Sequence, residues 1–329
     1  MGMHQRKNRV AMERMTIDKL KVLQGLSLTQ KIDHTVGTIE AFMSRTGKPV
    51  FVSFSGGKDS TVLLDICRRY IEPHFKGVFI NTGNEFPEIV NFVKSTSDIT
   101  TITPGINIKK VIAEKGFPLI SKEVSKYIRE FRTTKSQKLR DLRLYGKTME
   151  NGTKSGFIPY KWRFLLREKF MVSEQCCDIL KKRPIKKYQK ESGELPLIAT
   201  LATESKLRMQ QYIIRGGCNS WKEGHLASYP LSIWTEKDVK DYIAKFNVDI
   251  CPIYQNPKCN RTGCMFCGFG AHLEKSSRFE LLYETHPKMY AVFMRYANNG
   301  VTYRQALRKI GVTLPDESIQ MEIKFNEGN

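Results

Sequence analysis

The sequence predicts an α/β fold: a doubly wound, mostly parallel sheet with helical additions at both ends. Three observations carry this expectation. Short apolar runs alternate with stretches whose apolar residues recur at helical spacing. Glycine-bearing loops follow two of those runs, at 55–57 and at 83. A hydrophobic content of 40% over 329 residues supplies a sizeable core, yet no apolar run reaches the roughly 18 residues a membrane-spanning helix requires.

Residues 8–46 read as helical and amphipathic. Residues 49–54, PVFVSF, then read as a short buried strand, and Val62, Leu63, Leu64, Ile66 and Tyr70 recur as one helix face. Between them lies SGGKDS. Residues 77–80 form the second strand of a βαβ unit, Pro87 opens a crossover helix, and 99–103 and 197–201 supply further strands. Thr235 before Glu236-Lys237-Asp238 reads as the cap of a helix running to about Phe246. Residues 146–159, with three glycines, read as a flexible connection, and Phe279, Leu281, Leu282, Tyr290, Phe293 and Met294 as core positions of a helical appendage. Three segments follow: a helical 1–46, an α/β domain over 47–250, and a cysteine knuckle with appendage over 251–329.

The net charge is +21, and residues 122–190 hold 20 Lys/Arg against 7 Asp/Glu. A solvated helix face and a polyanion site both fit such a run, and the second makes tRNA or DNA a partner through 122–190. The N-terminal residues contain no apolar stretch of the signal-peptide kind, so the expected location is cytoplasmic, with no membrane association.

At a strand–glycine–helix junction, backbone N–H groups approach a ligand closely and the helix N-terminus adds partial positive charge. Gly56 and Gly57, with the hydroxyls of Ser55 and Ser60, are therefore expected to hold phosphates, with Lys58 as a mobile charge. A carboxylate beside a triphosphate repels it unless a cation intervenes, so Asp59 is read as a Mg²⁺ ligand. This is not a Walker A loop, which needs four residues between its first Gly and Gly-Lys-Ser/Thr; Gly146-Lys147-Thr148 has Asp141 where that first Gly belongs.

Ser55-Gly56-Gly57-Lys58-Asp59-Ser60 resembles the pyrophosphate loop of the ATP pyrophosphatase (PP-loop) superfamily, the adenine-nucleotide α-hydrolases. Asn81-Thr82-Gly83-Asn84-Glu85-Phe86-Pro87-Glu88 is similar to the D-T-G-x-x-F-P-E segment of the phosphoadenosine phosphosulfate (PAPS) reductase family, with Asn81 replacing Asp. Glu204-Ser205-Lys206-Leu207-Arg208 resembles its E-S-x-x-R segment, and Pro230-Leu231, Trp234-Thr235 and Asp238-Val239 its P-L-x-x-W-T-x-x-D-V stretch. The resemblance implies an α-hydrolase fold over about 48–270, a nucleotide pocket lined by Thr82 and Gly83, and Glu204 and Arg208 facing substrate phosphates or sulfate.

Eight cysteines in a cytoplasmic chain point to metal rather than disulfides. Cys264-Met265-Phe266-Cys267 is a C-x-x-C knuckle, and Cys176-Cys177 sits beside Lys181-Lys182-Arg183, cations that favour thiolates. An iron–sulfur cluster, zinc and unligated core cysteines all remain open on the residues alone. The C-C…C-x-x-C order, some 80–90 residues apart, resembles the [4Fe–4S] pattern of assimilatory adenylyl-sulfate reductases. Because adjacent cysteines are awkward ligands for one cluster, Cys259 is the first substitute, and His272 a distant second.

The sulfonucleotide reductases carry a nucleophilic cysteine near their C-terminus, whereas the last cysteine here is Cys267; Cys218 or Cys251 would have to stand in. The complete SGGKDS loop favours ATP chemistry. The expected function is therefore that of a PAPS reductase-family enzyme binding ATP or an adenylyl-sulfate nucleotide with Mg²⁺, adenylating a substrate with pyrophosphate release coupled to sulfur transfer from a donor protein. Its rivals are a true PAPS or adenylyl-sulfate reductase, the ATPase component of a DNA-phosphorothioation or tRNA-thiolation system, and a nucleotide-sensing, nucleic-acid-binding regulator.

Overall fold

Caps divide the N-terminal helical segment. The Thr16 hydroxyl accepts from Lys19 N–H to start α1 (Ile17–Gln24), Gly25 ends it, and Ser27 with Gln30 forms a reciprocal capping box that starts α2 (Leu28–Thr46). One expected helix is therefore two. The computed structural model describes residues 15–259, 262–274 and 278–315; positions 8–14 of the expected helical stretch and 316–329 of the appendage lie outside them.

In chain order there follow β1 (Val50–Ser53), α3 (Lys58–Tyr70), β2 (Gly77–Ile80), α4 (Pro87–Ser95), β3 (Ile99–Ile102), α5 (Ile108–Lys115), β4 (Leu119–Ile120), α6 (Lys122–Thr133) and α7 (Gln137–Tyr145). A hairpin of β5 (Lys147–Thr148) and β6 (Lys154–Ser155) and a 3-10 segment, Tyr160–Leu166, lead to α8 (Gln175–Cys177), a π-turn over Asp178–Lys182 and α9 (Arg183–Ser192). Then come β7 (Leu195–Leu197), α10 (Lys206–Arg215), β8 (Asn219–Ser220), β9 (Ala227–Ser228), α11 (Glu236–Phe246), β10 (Gly268–Phe269), α12 (Arg278–Thr285) and α13 (Pro287–Met294).

The main sheet has the order β3-β2-β1-β7-β9-β8. β1 is parallel to β2 and to β7, β7 is parallel to β9, and only the short edge strand β8 is antiparallel to its neighbour β9. This is the mostly parallel α/β sheet with flanking helices that the alternation predicts. The chain leaves β1 in one direction and returns on its other side as β7. That makes the carboxyl ends of β1 and β7 the switch point, where open α/β sheets bind ligands.

Two expectations shift. The strand expected over 197–201 lies at Leu195–Leu197, because Leu195, Pro196 and Leu197 pair with Val50, Phe51 and Val52, and the chain leaves the sheet afterwards. The expected flexible connection holds the β5–β6 hairpin, in which Lys147 pairs with Ser155 and Thr148 with Lys154.

The chain divides into two compact units. The first comprises residues 1–79, 96–100 and 192–250. Phe51, Val52, Val62, Leu63 and Ile66 are fully buried in it. Trp234 donates its indole N–H to Thr35 Oγ1 at 2.9 Å, and Lys31, 2% exposed, pairs with Asp238 at 2.6 Å, tying α2 to the start of α11. The second unit comprises 80–95, 101–191 and 251–329. Phe117 stacks on Tyr303, whose hydroxyl donates to the Phe266 carbonyl at 2.6 Å. Gly116 takes φ +99°, and a Cβ there would collide with the Met171 backbone, so only glycine fits. The anticipated core residues Phe279, Leu281, Leu282, Tyr290, Phe293 and Met294 are all buried here.

Candidate functional site

The glycine loop spans the carboxyl end of β1 and the start of α3. Gly56 adopts φ +68°, and Gly57, the N-cap of α3, offers no side chain to the first-turn amides. Those amides and the helix dipole form the phosphate-accepting end. The loop is braced from within: Ser60 Oγ, 4% exposed, donates to the Gly57 carbonyl at 2.9 Å and accepts from Ser55 N–H at 3.2 Å. Ser55 Oγ accepts from Gly57 N–H at 3.3 Å and is exposed. The two serines thus differ. Ser55 faces solvent, whereas Ser60 sets the shape of the loop. Asp59 stands half-buried in the first turn, and Lys58 Nζ lies 2.6 Å from Glu236 Oε1.

The segment after β7, the parallel neighbour of β1, carries Glu204, and the first turn of α10 carries Arg208. Glu204 Oε1 accepts from Leu201 N–H and from the Arg208 guanidinium, both at 3.0 Å. Its carboxylate therefore orients Arg208. Ser205 caps α10 through Arg208 N–H, and a cavity of about 240 Å³ opens beside the helix, lined by Thr200, Ser205, Arg208, Gln211, Arg215 and Tyr229 among others. Arg215 lies 3.9 Å over the Tyr229 ring and donates to the Gly217 carbonyl at 3.0 Å. Two guanidinium groups on one cavity suit an anionic substituent.

In the second unit, Asn81 Oδ1 accepts from Gly83 N–H at 3.1 Å, a turn that Asp would form equally well; Gly83 takes φ +74°. Thr82 donates both its N–H and its hydroxyl to the Glu85 carboxylate at 2.9 Å. Glu85, 8% exposed, also receives Lys181 Nζ at 3.1 Å. The sequence singled out Lys181 only as one cation in a basic run; its link to Glu85 carries no local signal, since the two lie on separate elements.

Lys181 also faces a small cavity that collects all four expected thiols, Cys176, Cys177, Cys264 and Cys267, together with Asn84, Leu180 and Phe266. Cys176 and Cys177 form the first turn of the helical run, the π-turn follows, and Cys267 N–H closes the 264–267 turn on the Cys264 carbonyl at 3.0 Å. The shared hydrogen bond with Cys176 lowers the Cys177 thiol, against its burial and with help from Lys122 and Lys181, while it raises Cys176. Burial pushes Cys264 up to about 12 and raises Cys267. Burial disfavours the Lys181 charge, but Cys264 and Glu85 outweigh it and hold Lys181 above its usual range.

Two observations bear on whether this set fits a metal centre. Asn84 Oδ1 is buried with no hydrogen-bond partner at the cavity wall. Among the described residues, however, no group of three or more His, Cys, Asp or Glu side chains is drawn together tightly enough to grip an ion. The four thiols nevertheless line one cavity with Lys181, a donor set whose chemistry suits a thiolate-bound centre. Cys259 is buried and its N–H bonds the Asn256 carbonyl; it does not line the cavity. His272 packs edge-on against Trp162 at 5.0 Å and does not line it either. Cys218 and Cys251 are buried, and burial raises both thiols, Cys218 to about 12.

An uncharacterised protein of Methanocaldococcus jannaschii is 25% identical to the chain over 240 residues, covering 71% of the chain. The chain spans 39% of the length of that relative. Among solved structures, the phosphate complex of the phosphoadenylyl-sulfate reductase of Candida auris aligns with 73% of the chain and 92% of its own length, at 13% identity and a TM-score of 0.38. No helix among the described residues is long and apolar enough to cross a membrane. The phosphoadenosine phosphosulfate reductase domain profile matches residues 49–119 and 120–268, two thirds of the sequence, and with it the chain belongs to the PAPS reductase family, whose chemistry is that of sulfur-bearing nucleotides.

Proposed function

We propose that the protein binds ATP or an adenylyl-sulfate nucleotide at residues 55–60 and that with ATP it adenylates a substrate, pyrophosphate leaving from the α-phosphorus, coupled to sulfur transfer. The observation that carries this reading is the loop after β1: a helix start without a side-chain cap, held in shape by Ser60, at the sheet's switch point. Attack on the α-phosphorus expels pyrophosphate, whose charge the first-turn amides, Ser55 and Lys58 stabilise. Asp59 holds Mg²⁺ there, which supplies charge neutralisation. Arg208, oriented by Glu204, takes an anionic group of the nucleotide or acceptor.

In the same reading Cys176, Cys177, Cys264 and Cys267 hold a [4Fe–4S] cluster, with zinc as the alternative. Lys122 and Lys181 offset the thiolate charge, and the cluster supplies redox or sulfur chemistry. The burial of Cys218 and Cys251 weighs against either as the nucleophile of a true PAPS or adenylyl-sulfate reductase.

Anaerobic incubation with ATP or PAPS, followed by separation of products, tests the reading: pyrophosphate from ATP supports it, and sulfite from PAPS without any ATP turnover overturns it. Anaerobically purified protein is expected to be brown, and Cys264→Ser and Cys267→Ser to lose iron and colour. A colourless protein with stoichiometric zinc moves the site to zinc. The Lys58–Glu236 pair supplies a further expectation. A pair exposed on its Glu236 side contributes about 0–1 kcal/mol, so Glu236→Gln should remove this partner of Lys58 and tighten ATP binding by up to about fivefold, read by titration calorimetry.

A further inference from the structure

We infer that residues 134–164 form a docking platform for an unpaired stretch of polynucleotide. This stretch holds eight Lys/Arg against two Asp/Glu. Charge alone is the common property of solvated surfaces; here it coincides with exposed rings on a locked backbone. Tyr160 is 84% and Tyr145 63% exposed.

The two tyrosines belong to segments tied to each other. Arg143 donates to the Gly156 carbonyl at 2.8 Å, and Ile158 N–H bonds the Arg143 carbonyl at 2.7 Å. Arg163 donates to the Leu144 and Ile158 carbonyls, joining the end of α7 to the 3-10 segment. Two arginines are thus spent on architecture, and the rings they position remain in water. Arg163 also lies 5.5 Å from the centre of the Tyr160 ring, against its face. Lys135, Lys138, Lys147 and Lys154 are exposed, and among the described residues no carboxylate pairs with any of them.

Exposed rings among unpaired cations match a chain that presents phosphates and base faces together. A stacked duplex offers its base faces only at its ends, so the matching partner is a single strand, a loop or a splayed end. RNA and DNA share this chemistry. The inference stands apart from the nucleotide reaction proposed above.

Fluorescence anisotropy of the full chain with labelled single-stranded RNA, single-stranded DNA and duplex DNA over a salt series tests it. Single strands are expected to bind more tightly than duplex, with a log–log salt slope of about −3 if the four lysines neutralise one phosphate each. Tyr160→Ala should weaken binding about tenfold with little change in slope, and Tyr160→Phe should retain it. Lys147→Gln with Lys154→Gln should flatten the slope by about one to two. Lys186→Gln with Lys187→Gln, on α9 outside the platform, should leave the Tyr160 dependence intact. Because Tyr160 is so exposed, its variants keep the native circular dichroism spectrum, and lost binding then reports the surface. No binding at low salt overturns the inference. So does binding that ignores Tyr160, Lys147 and Lys154, and so does a preference for duplex; the relative affinity of the two single strands identifies whether RNA or DNA is the source.

Discussion

Asp59→Ala is expected to lower pyrophosphate release from ATP by about 10²–10³-fold, the usual loss when one preorganised electrostatic partner leaves a transition state. The fold should survive. Asp59 is half-buried at the start of α3, and the helix is anchored by Val62, Leu63 and Ile66 beyond the first turn. The favourable placement of a carboxylate at a helix N-terminus is worth only about 0.3–1 kcal/mol, small beside a stability of about 5–15 kcal/mol. Asp59→Asn separates charge from shape: it keeps the size of the side chain, loses the affinity for Mg²⁺, and should fall nearly as far as the alanine variant. Pyrophosphate release by malachite-green assay with inorganic pyrophosphatase, at saturating Mg²⁺ and ATP, measures both. Unchanged release in both variants would remove ATP turnover from this loop.

The sequence made the sheet legible where local chemistry was decisive. Pro87 opens α4, Thr235 caps α11, and the apolar runs at 50–53, 77–80 and 99–102 are strands because glycine or polar turns bound them. It misplaced β7, since Leu195-Pro196-Leu197 carries a proline that argues against a strand, and only pairing with β1 decides the register. The β5–β6 hairpin hid in a glycine-rich stretch for a related reason: two-residue strands have no periodicity to read. At the site, SGGKDS announced its glycines but not that Ser60 points inward, which depends on the Gly57 carbonyl it finds. The four thiols were legible as a set, and the cavity they share is the outcome. The partners Glu85 and Lys181, and Lys58 and Glu236, were not, because each pair joins elements separated by 96 and 178 residues respectively.

The P-L-x-x-W-T-x-x-D-V stretch, singled out in the sequence only by its resemblance, anchors α11 to α2 through its aspartate, whose loss should destabilise the first unit. Asp238 Oδ2 accepts from Lys31 Nζ at 2.6 Å and from Thr235 N–H and hydroxyl at 2.7 Å each, capping α11 and holding α2 with one carboxylate. Asp238→Asn leaves the Lys31 ammonium, 2% exposed, without its counter-charge, and breaking a buried pair from one side costs about 3–5 kcal/mol. Lys31→Met should cost less, because Asp238 keeps both Thr235 bonds and is 14% exposed, while methionine fills the space of the lysine stem. The acid limb tests the same pair. Burial opposes ionisation of Asp238, but the bonds from Lys31 and Thr235 outweigh it and hold the carboxyl below its usual range. A depressed folded value means the contribution is complete above the unfolded pKa of about 3.9 and is lost as pH falls through the lower folded value. Urea midpoints followed by circular dichroism should therefore drop less between pH 5 and strong acid, about pH 2, for Asp238→Asn than for the parent. Equal acid slopes in the two proteins, or a Lys31→Met variant as unstable as Asp238→Asn, would show that the pair does not carry the junction of α2 with α11.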